Sequence, residues 1–227
     1  MSVTIDDILA PTGRVASRLP NYEHRPEQLE MAHAAGKAFE QREHLLAEAG
    51  TGVGKSFAYL VPAILCAWKN KQRVVVSTCT IALQEQIIRK DLPFLAEVFE
   101  DTPVTFQAVL GKGRNNYLCL RRLALLMKNR DKLLASERQQ AQLDRIADWA
   151  MTTQTGELQE LDFGPSLTVW GKVCSDGALC YGQKCASVNK CYLRAARKRL
   201  LAGNILVVNH AMLLTDLTMP LSSRLLG

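Results

Sequence analysis

The stretch "EAGTGVGKSFAYL", residues 48–60, is a glycine-rich turn that runs directly into an apolar segment. It meets the phosphate-loop pattern G-x-x-x-x-G-K-[ST] at every position except the first, where Ala49 replaces glycine. Backbone amides converge on phosphates in such a loop, so glycine is needed where a Cβ would block the approach or where φ must be positive. Lys55 would then reach the β and γ phosphates, and the Ser56 hydroxyl would bind Mg²⁺. The predicted nucleotide-binding residues of the loop are Ala49, Gly50, Thr51, Gly52, Val53, Gly54, Lys55 and Ser56, of which Lys55 and Ser56 are also the predicted catalytic residues.

The segments around this loop alternate between strand-like and helix-like patterns. Apolar runs predict buried strands, and apolar residues at helical spacing predict helices. The predicted strands are "HLLAE" (44–48), "RVVVST" (73–78), "VTFQAVL" (104–110) and "NILVVNH" (204–210), and the predicted helices are residues 21–41, opened by Pro26, residues 55–68, and residues 81–99. This alternation predicts the α/β class, with an open parallel sheet and helices on its faces.

The alternation stops between Leu118 and about Leu200, where only helix-like material and a cysteine cluster occur. We interpret this region as an insertion between two strands of one sheet. The predicted domains are residues 1–111, the first part of the sheet domain; residues 112–201, the insertion; and residues 202–227, the return strand of the sheet domain.

Positive charge is concentrated in and around the insertion. The chain of 227 residues has a formal net charge of +6, and residues 184–199 contain six Lys and Arg side chains and no acid. Such runs indicate either a solvated helix face or a surface for an anionic polymer. The longest apolar run is interrupted by Pro62 and ended by Lys69, which is too short for a membrane span, and no secretory signal is recognised at the start.

Seven cysteines without an export signal favour metal or redox chemistry over a disulfide framework. Cys66 and Cys79 lie in apolar contexts and are predicted to be buried. Cys180, Cys185 and Cys191 form a C-x₄-C-x₅-C pattern, with Cys119 about sixty residues earlier. Zinc usually favours tighter pairs, so this spacing favours an iron-sulfur cluster. A local zinc site made by Cys174 with the three clustered cysteines is the alternative.

Five segments resemble, in order, those of the bacterial DinG-type, XPD-like iron-sulfur helicases of superfamily two. They are "EAGTGVGKS", "STCTIALQEQ", "GRNNYLC", "LCYGQKCASVNKCYLRAARK" and "VVNHAMLL", which are spread over nearly the whole chain. The substituted first position of the loop, Ala49, fits this resemblance. "RPEQ" (25–28) is similar to the segment that reads adenine in those enzymes, with Gln28 facing the base edge. Tyr22 could stack on the adenine or serve in packing.

The resemblance implies a RecA-like P-loop sheet, an incomplete first motor domain, with a mostly helical iron-sulfur insertion. It implies a [4Fe-4S] cluster, ATP and Mg²⁺ as cofactors, and 5′ to 3′ movement along single-stranded DNA. The implied cluster ligands are Cys119, Cys180, Cys185 and Cys191, and the predicted DNA-binding residues are Thr78, Thr80, Gln84, Arg114, Arg194 and Arg197. Tyr117 and Tyr192 are predicted to pack against the cluster or to stack bases. Taken alone, the segment "STCTIALQEQ" could equally be a strand-to-helix junction with a capping threonine. His210, in the sequence Asn-His-Ala, is predicted to have a structural role or to couple the two binding sites rather than to act in catalysis.

Superfamily-two motors need a D-E-x-H carboxylate pair to hold Mg²⁺ and polarise water, and no such sequence occurs in this chain. We therefore expect an N-terminal piece of a DNA repair or replication helicase that binds ATP weakly and hydrolyses it negligibly alone. The expected partners are nucleotide and single-stranded, forked or unusual DNA, without a membrane; the whole enzyme is expected to be monomeric, cytoplasmic and nucleoid-associated. The alternatives are a redox-sensitive nucleic-acid-binding P-loop module without hydrolysis, and a small NTPase with a zinc insertion.

Overall fold

The structure is a computed structural model that describes residues 3–20 and 22–226. It divides into two compact units, each with its own hydrophobic core. One unit is built from residues up to Gly111 together with those from Leu200 onward, and the other is Lys112–Arg199. In the described part of the chain, no helix is both long and apolar enough to cross a membrane.

A three-stranded parallel sheet organises the first unit. Strands β1 (Val74–Thr78) and β2 (Ala108–Leu110) both pair with β3 (Ile205–Asn209), which gives the order β1-β3-β2. Ile205 lies opposite Val74 on one side and Ala108 on the other. The first four residues of β3 are fully buried, which explains why the strand is a continuous apolar run rather than an alternating one. The predicted α/β class with a parallel sheet is confirmed.

Helices surround this sheet. They are α1 (Ile5–Leu9), α2 (Arg14–Arg18), α3 (Pro26–Gln41), α4 (Lys55–Asn70), α5 (Ile81–Gln86), α6 (Leu92–Phe99) and, after β3, a helix at His210–Thr218. Helix α3 starts at Pro26. Proline lacks a backbone N–H, and the first residue of a helix does not need one because its N–H would have no acceptor within the helix. It packs along α4, whose apolar side chains, Leu60 and Ile64 among them, fill the core.

Two predicted strands differ from the observed ones. Residues 44–48 form no strand, and Leu46 is 100% exposed. A strand is stable only when a neighbour pairs with its backbone, and no strand of the described residues borders this segment. The apolar pattern of residues 44–48 therefore predicted a buried strand, but the described residues neither pair with this segment nor cover it. The strand predicted for residues 104–110 is shorter, since only its last three residues pair as β2.

The helix predicted for residues 81–99 is interrupted by a π-helical turn. The turn, Ile87–Asp91, lies between α5 and α6 and contributes Ile87 and Asp91 to the buried face. Apolar periodicity at 3.6 residues does not locate such a turn, because the short helical segments before and after it each still fit a helical period.

The second unit is helical. Its helices are α7 (Leu120–Lys128), α8 (Arg130–Leu133), α9 (Glu137–Ala150), α10 (Leu167–Val173) and most of α11 (Tyr192–Ala202), so the helix at His210–Thr218 is α12. Ser136 and Ser166 cap α9 and α10 with their hydroxyls. Leu143, Ile146 and Val169 are fully buried in its core.

A buried ion pair and a buried tyrosine lie at the start of this unit. Lys112 Nζ lies 2.7 Å from Glu157 Oε2, and both side chains are mostly shielded from solvent. Tyr117 forms an antiparallel bridge with Glu157 and is 2% exposed. Burial, with the Glu157 charge adding to it and the Arg199 charge opposing it, raises the pKa of Tyr117 to about 12 from 10.0. Tyr117 is thus a packing residue in this structure.

This burial predicts a loss of stability at alkaline pH. Because the pKa of Tyr117 is raised in the folded state, its contribution is complete below pH 10 and is lost as the pH rises toward about 12. Tyr117→Phe removes this contribution, which a rise of the pKa from 10.0 to about 12 makes worth at most about 3 kcal/mol. The free energy of unfolding, measured in urea at several pH values, should fall more steeply for the wild type than for the variant in that range. Parallel curves would contradict the assignment.

Candidate functional site

The glycine-rich loop has the backbone conformation that its sequence predicts. Gly52 and Gly54 have φ values of 87° and 81°, in the left-handed region that glycine adopts at least cost. The loop ends at Gly54, and α4 begins at Lys55. The free amides of the first turn of α4 and the positive end of its dipole therefore lie at the loop, an arrangement that attracts phosphate.

Lys55 spans the loop. Its ammonium donates hydrogen bonds to the carbonyl oxygens of Ala49 at 2.9 Å and Gly50 at 2.7 Å. Its side chain is exposed, so the ammonium remains accessible to an anion. A phosphate oxygen carries more negative charge than a carbonyl and is the stronger acceptor for an ammonium.

Gln28 supports the loop from α3. Its side-chain amide donates to the Gly54 carbonyl at 2.9 Å, and the residue is 7% exposed. A Cβ added to Gly54 would lie 2.0 Å from the Gln28 Nε2, so this approach requires glycine. Tyr22, the other predicted adenine neighbour, donates its hydroxyl to the Leu9 carbonyl at 3.1 Å and packs against the core of the first unit.

Ser56 lies beside a buried acid that sequence reasoning missed. Burial raises the pKa of the Asp91 carboxyl, and hydrogen bonding with Ser56, the Lys90 charge and hydrogen bonding with Gln86 oppose that rise. Burial likewise raises the pKa of Tyr59, and the neighbouring Ser56 hydroxyl opposes that rise. The available signal in the sequence was an acid four residues from both Ile87 and Leu95, on an otherwise apolar face.

The predicted DNA-contact residues at the end of β1 are mostly buried. Thr78 donates its hydroxyl to the Thr80 carbonyl at 3.1 Å, and Thr80 caps α5 by accepting from the Leu83 amide at 3.2 Å. Gln84 is 2% exposed and its Nε2 has no hydrogen-bond partner. Cys79, predicted to be buried, is exposed, because it follows the last paired residue of β1.

His210 joins the carboxyl ends of two strands. Its Nδ1 lies 2.7 Å from the Ser77 hydroxyl, which links the first turn of α12 to β1. Asn209 caps the same helix by accepting from the Met212 amide at 2.8 Å. These contacts tie the NHA segment to the segment that follows β1.

Three of the predicted cluster cysteines lie in one short loop of the second unit. Cys185 follows the 3₁₀ turn Gly182–Lys184, and Cys191 follows the turn Val188–Lys190 and directly precedes α11. Cys180 accepts a hydrogen bond from the Gly182 amide at 3.4 Å. All seven cysteines of the chain are free thiols.

Cys119 is connected to this loop through the first turn of α7. It is the N-cap residue of α7, and Arg121 in that turn donates to the Leu179 carbonyl and stacks at 4.2 Å on the ring of Tyr181. These two partners flank Cys180 in the sequence. Among the described residues, no group of three or more His, Cys, Asp or Glu side chains is arranged to hold a metal ion.

Basic side chains accompany the cysteine loop. Burial and the neighbouring Arg114 charge lower the pKa of Arg197, whereas the Cys180 and Cys191 thiolates raise it. Arg197 therefore lies within electrostatic range of Arg114 and of both thiols. Arg194 donates to the Gln183 Oε1 at 2.7 Å, which anchors α11 to the loop.

Cys174 differs from the other cysteines of this unit. It is buried in the hydrophobic core, and its Sγ lies 3.9 Å from the Gly171 carbonyl. Burial raises its pKa, an effect that Arg122 opposes. Arg122 also donates to the carbonyls of Gly171 and Cys174, so it caps the end of α10. Tyr192 packs against this core and donates to the Ala150 carbonyl at 3.4 Å.

A phosphate loop that opens a helix beside a parallel sheet defines a P-loop nucleotide-binding domain. Residues 25–148 match the DEAD/DEAH box helicase family. That match covers more than half of the 227 residues, and the chain belongs to this family.

Individual proteins similar to this chain include helicases named YoaA and DinG. The chain is 34% identical to the ATP-dependent DNA helicase YoaA of Haemophilus influenzae over 214 residues, which are 94% of this chain and 32% of that protein. It is 36% identical to the ATP-dependent helicase DinG of Mycobacterium tuberculosis over 231 residues, 95% of this chain and 34% of that protein. It is 34% identical to the 3′-5′ exonuclease DinG of Bacillus subtilis over 200 residues, 87% of this chain and 21% of that protein. The predicted resemblance to DinG-type helicases is confirmed, and the chain spans about a third or less of the length of these relatives.

The loop geometry predicts different tolerance at two of its glycines. Gly54→Ala places a Cβ at a positive φ and against Gln28, and should destabilise the chain by about 1–2 kcal/mol or more. Gly50→Ala is the matched control, since its Cβ would meet no atom within 4 Å and its φ is not positive. Urea unfolding of both variants compares them, and equal losses of stability would contradict the loop conformation.

Proposed function

We propose that this chain is the part of an ATP-dependent 5′ to 3′ DNA helicase that binds ATP, Mg²⁺ and single-stranded DNA and carries a [4Fe-4S] cluster. The observation that carries the proposal is the ordered phosphate loop with Lys55 across it, in a chain of the DEAD/DEAH box helicase family. Its similarity to proteins named as ATP-dependent DNA helicases supports DNA as the substrate. The proposal includes forked or unusual DNA, action as a monomer, and association with the nucleoid.

The nucleotide would be held by groups that the loop already orients. Backbone amides of residues 50–56 would donate to the phosphates, with Lys55 neutralising charge on the β and γ phosphates. The Ser56 hydroxyl is the proposed Mg²⁺ ligand, and hydroxyl oxygen suits that hard cation. Gln28, anchored to Gly54, is the proposed contact of the adenine edge.

Single-stranded DNA would be bound at two regions. At the carboxyl end of β1, Thr78, Thr80 and Gln84 are the proposed contacts, and the Thr80 cap fixes the start of α5 there. In the second unit, Arg114, Arg194 and Arg197 would contact phosphates, and the clustered positive charge of residues 184–199 supports that role.

The donor set of the second unit fits an iron-sulfur cluster chemically. Cys119, Cys180, Cys185 and Cys191 are free, none of them is fully buried, and thiolates are the ligands of such clusters. The Arg197 guanidinium lies within electrostatic range of two of them, Cys180 and Cys191. Cys174 is packed in the apolar core instead. Its burial favours a cluster held by Cys119 and the three loop cysteines over a local zinc site that includes Cys174. When bound, the cluster would serve as a structural staple of the unit.

The cluster assignment predicts a specific pattern of metal loss. Cys119→Ser should remove most of the iron from protein purified without oxygen, because a [4Fe-4S] cluster needs all four thiolates to be retained stably. Cys174→Ser is the matched control and should keep the iron and sulfide content of the wild type. Iron, zinc and sulfide are measured per chain. Zinc in place of iron, or metal lost from the Cys174 variant and kept by the Cys119 variant, would favour the local zinc site.

A second candidate function is nucleic-acid binding without hydrolysis, in which the cluster responds to redox state. The absence of a D-E-x-H sequence from the 227 residues favours it for this chain taken alone, because hydrolysis needs a carboxylate that positions water.

We expect the purified chain to bind ATP weakly and to release phosphate no faster with single-stranded DNA than without it. Phosphate release is measured with and without oligonucleotide, beside a Lys55→Ala variant that corrects for contaminating ATPases. Hydrolysis that DNA stimulates, and that Lys55→Ala abolishes, would show that the chain supplies its own water-activating group and would refute this expectation.

A further inference from the structure

Tyr181 is an exposed aromatic residue to which the proposed function assigns no role. It directly follows Cys180 in the loop that carries three of the cysteines, and it is 62% exposed. Tyr117, which packs inside the same unit, is 2% exposed. Single exposed apolar residues are common on protein surfaces, so the exposure of Tyr181 has meaning only together with the contacts that hold its ring.

Arg121 supports the ring of Tyr181 on one face. Its guanidinium carbon lies 4.2 Å from the ring centroid, which is a cation–π contact, and the same guanidinium donates to the Leu179 carbonyl. Arg121 belongs to the first turn of α7, so a regular helix positions it. A ring held in this way loses little conformational freedom when a flat ligand stacks on it, and more than half of the residue remains open to such a ligand.

The charge of the surrounding sequence favours an anionic ligand. Residues 177–199 contain six Lys and Arg side chains and no acid. Arg194 donates to the Gln183 Oε1 at 2.7 Å, which brings one of these guanidinium groups to the residue two positions after Tyr181. Proteins bind single strands without sequence preference by combining basic side chains for the phosphates with aromatic rings on which bases stack. The loop presents both kinds of group.

A second arginine–aromatic pair in the same unit has neither property. Arg145 lies 3.8 Å from the ring centroid of Phe163, but it also forms an ion pair with Asp162 at 2.9 Å. Phe163 packs against the hydrophobic core of the unit. The charge of that arginine is therefore balanced, and its aromatic partner is partly covered by the protein itself.

We propose that Tyr181 is a base-stacking residue: a base of single-stranded DNA stacks on its ring, and the basic side chains of residues 184–199 neutralise the phosphates on either side. The inference rests on the proposed function, since it takes single-stranded DNA as the ligand. It adds a contact with the bases to the phosphate contacts proposed for this unit. Because every base has a flat π face, the contact should tolerate any sequence.

The test compares strands with and without bases. The full chain, purified without oxygen, is titrated into a fluorescent oligothymidylate of about 15 nucleotides or an abasic strand of the same length, and anisotropy is measured. Tyr181→Leu keeps an apolar side chain without a ring, and it should weaken binding of the oligothymidylate about fivefold or more and leave binding of the abasic strand unchanged. Tyr181→Phe keeps the ring and should stay within about twofold of the wild type on both strands. Phe163→Leu is the matched control and should alter neither affinity.

The outcomes separate the two proposals. A wild-type chain that binds neither strand overturns DNA binding by this chain and the inference with it. Equal wild-type affinity for the two strands overturns the inference alone. The same holds for a Tyr181→Leu chain that binds the oligothymidylate as the wild type does, or that loses affinity equally for both strands, as it would if the ring only shaped the loop or contacted another protein surface.

Photocrosslinking of the wild-type chain decides if Tyr181→Leu loses iron or does not melt cooperatively. Iodouracil in place of thymine couples on irradiation to an aromatic ring stacked on it, and mass spectrometry identifies the attached peptide. Attachment at Tyr181 supports the inference, and attachment only at other residues overturns it.

Discussion

The pairing of β3 between β1 and β2 is the constraint on which the rest of the structure depends. Ile205 is in register with Val74 on one side and with Ala108 on the other, although it lies almost a hundred residues after β2. Parallel neighbours need a crossover connection, and here that connection contains a complete helical unit with its own core. The same pairing brings the carboxyl ends of β1 and β3 together, where Ser77 meets His210.

A single carbonyl organises the proposed nucleotide site beside this sheet. The Gly54 oxygen accepts from the Gln28 side chain and from the amides of Phe57 and Ala58, so α3, the loop and the first turn of α4 meet at one atom. This arrangement requires glycine at position 54, because its φ is positive and an added Cβ would collide with the Gln28 side chain. Lys55 and Ser56 follow directly, and the carbonyls of Ala49 and Gly50 orient the Lys55 ammonium.

Sequence patterns predicted the features that depend on local chemistry. The loop, the apolar strand of β3 and the helix that Pro26 opens all follow from residue type and spacing. Features that depend on a partner were missed: residues 44–48 carry a strand pattern but have no described neighbour to pair with, and Cys79 lies just past the end of pairing. The π turn and the inward-facing Asp91 were missed because a one-residue change of phase is invisible to a helical period. The cysteine spacing predicted thiol ligands, but only packing distinguishes the buried Cys174 from the others.

The central claim is that the loop amides receive the phosphates of a nucleotide, and hydrogen–deuterium exchange tests it most directly. With ATP and Mg²⁺ added, the account predicts slower exchange at residues 50–56 and unchanged exchange at the cap of α9 around Ser136, with no effect of nucleotide on a Lys55→Ala chain. Unaltered exchange at residues 50–56 under nucleotide saturation, or slowing that persists without the Lys55 ammonium, would contradict it.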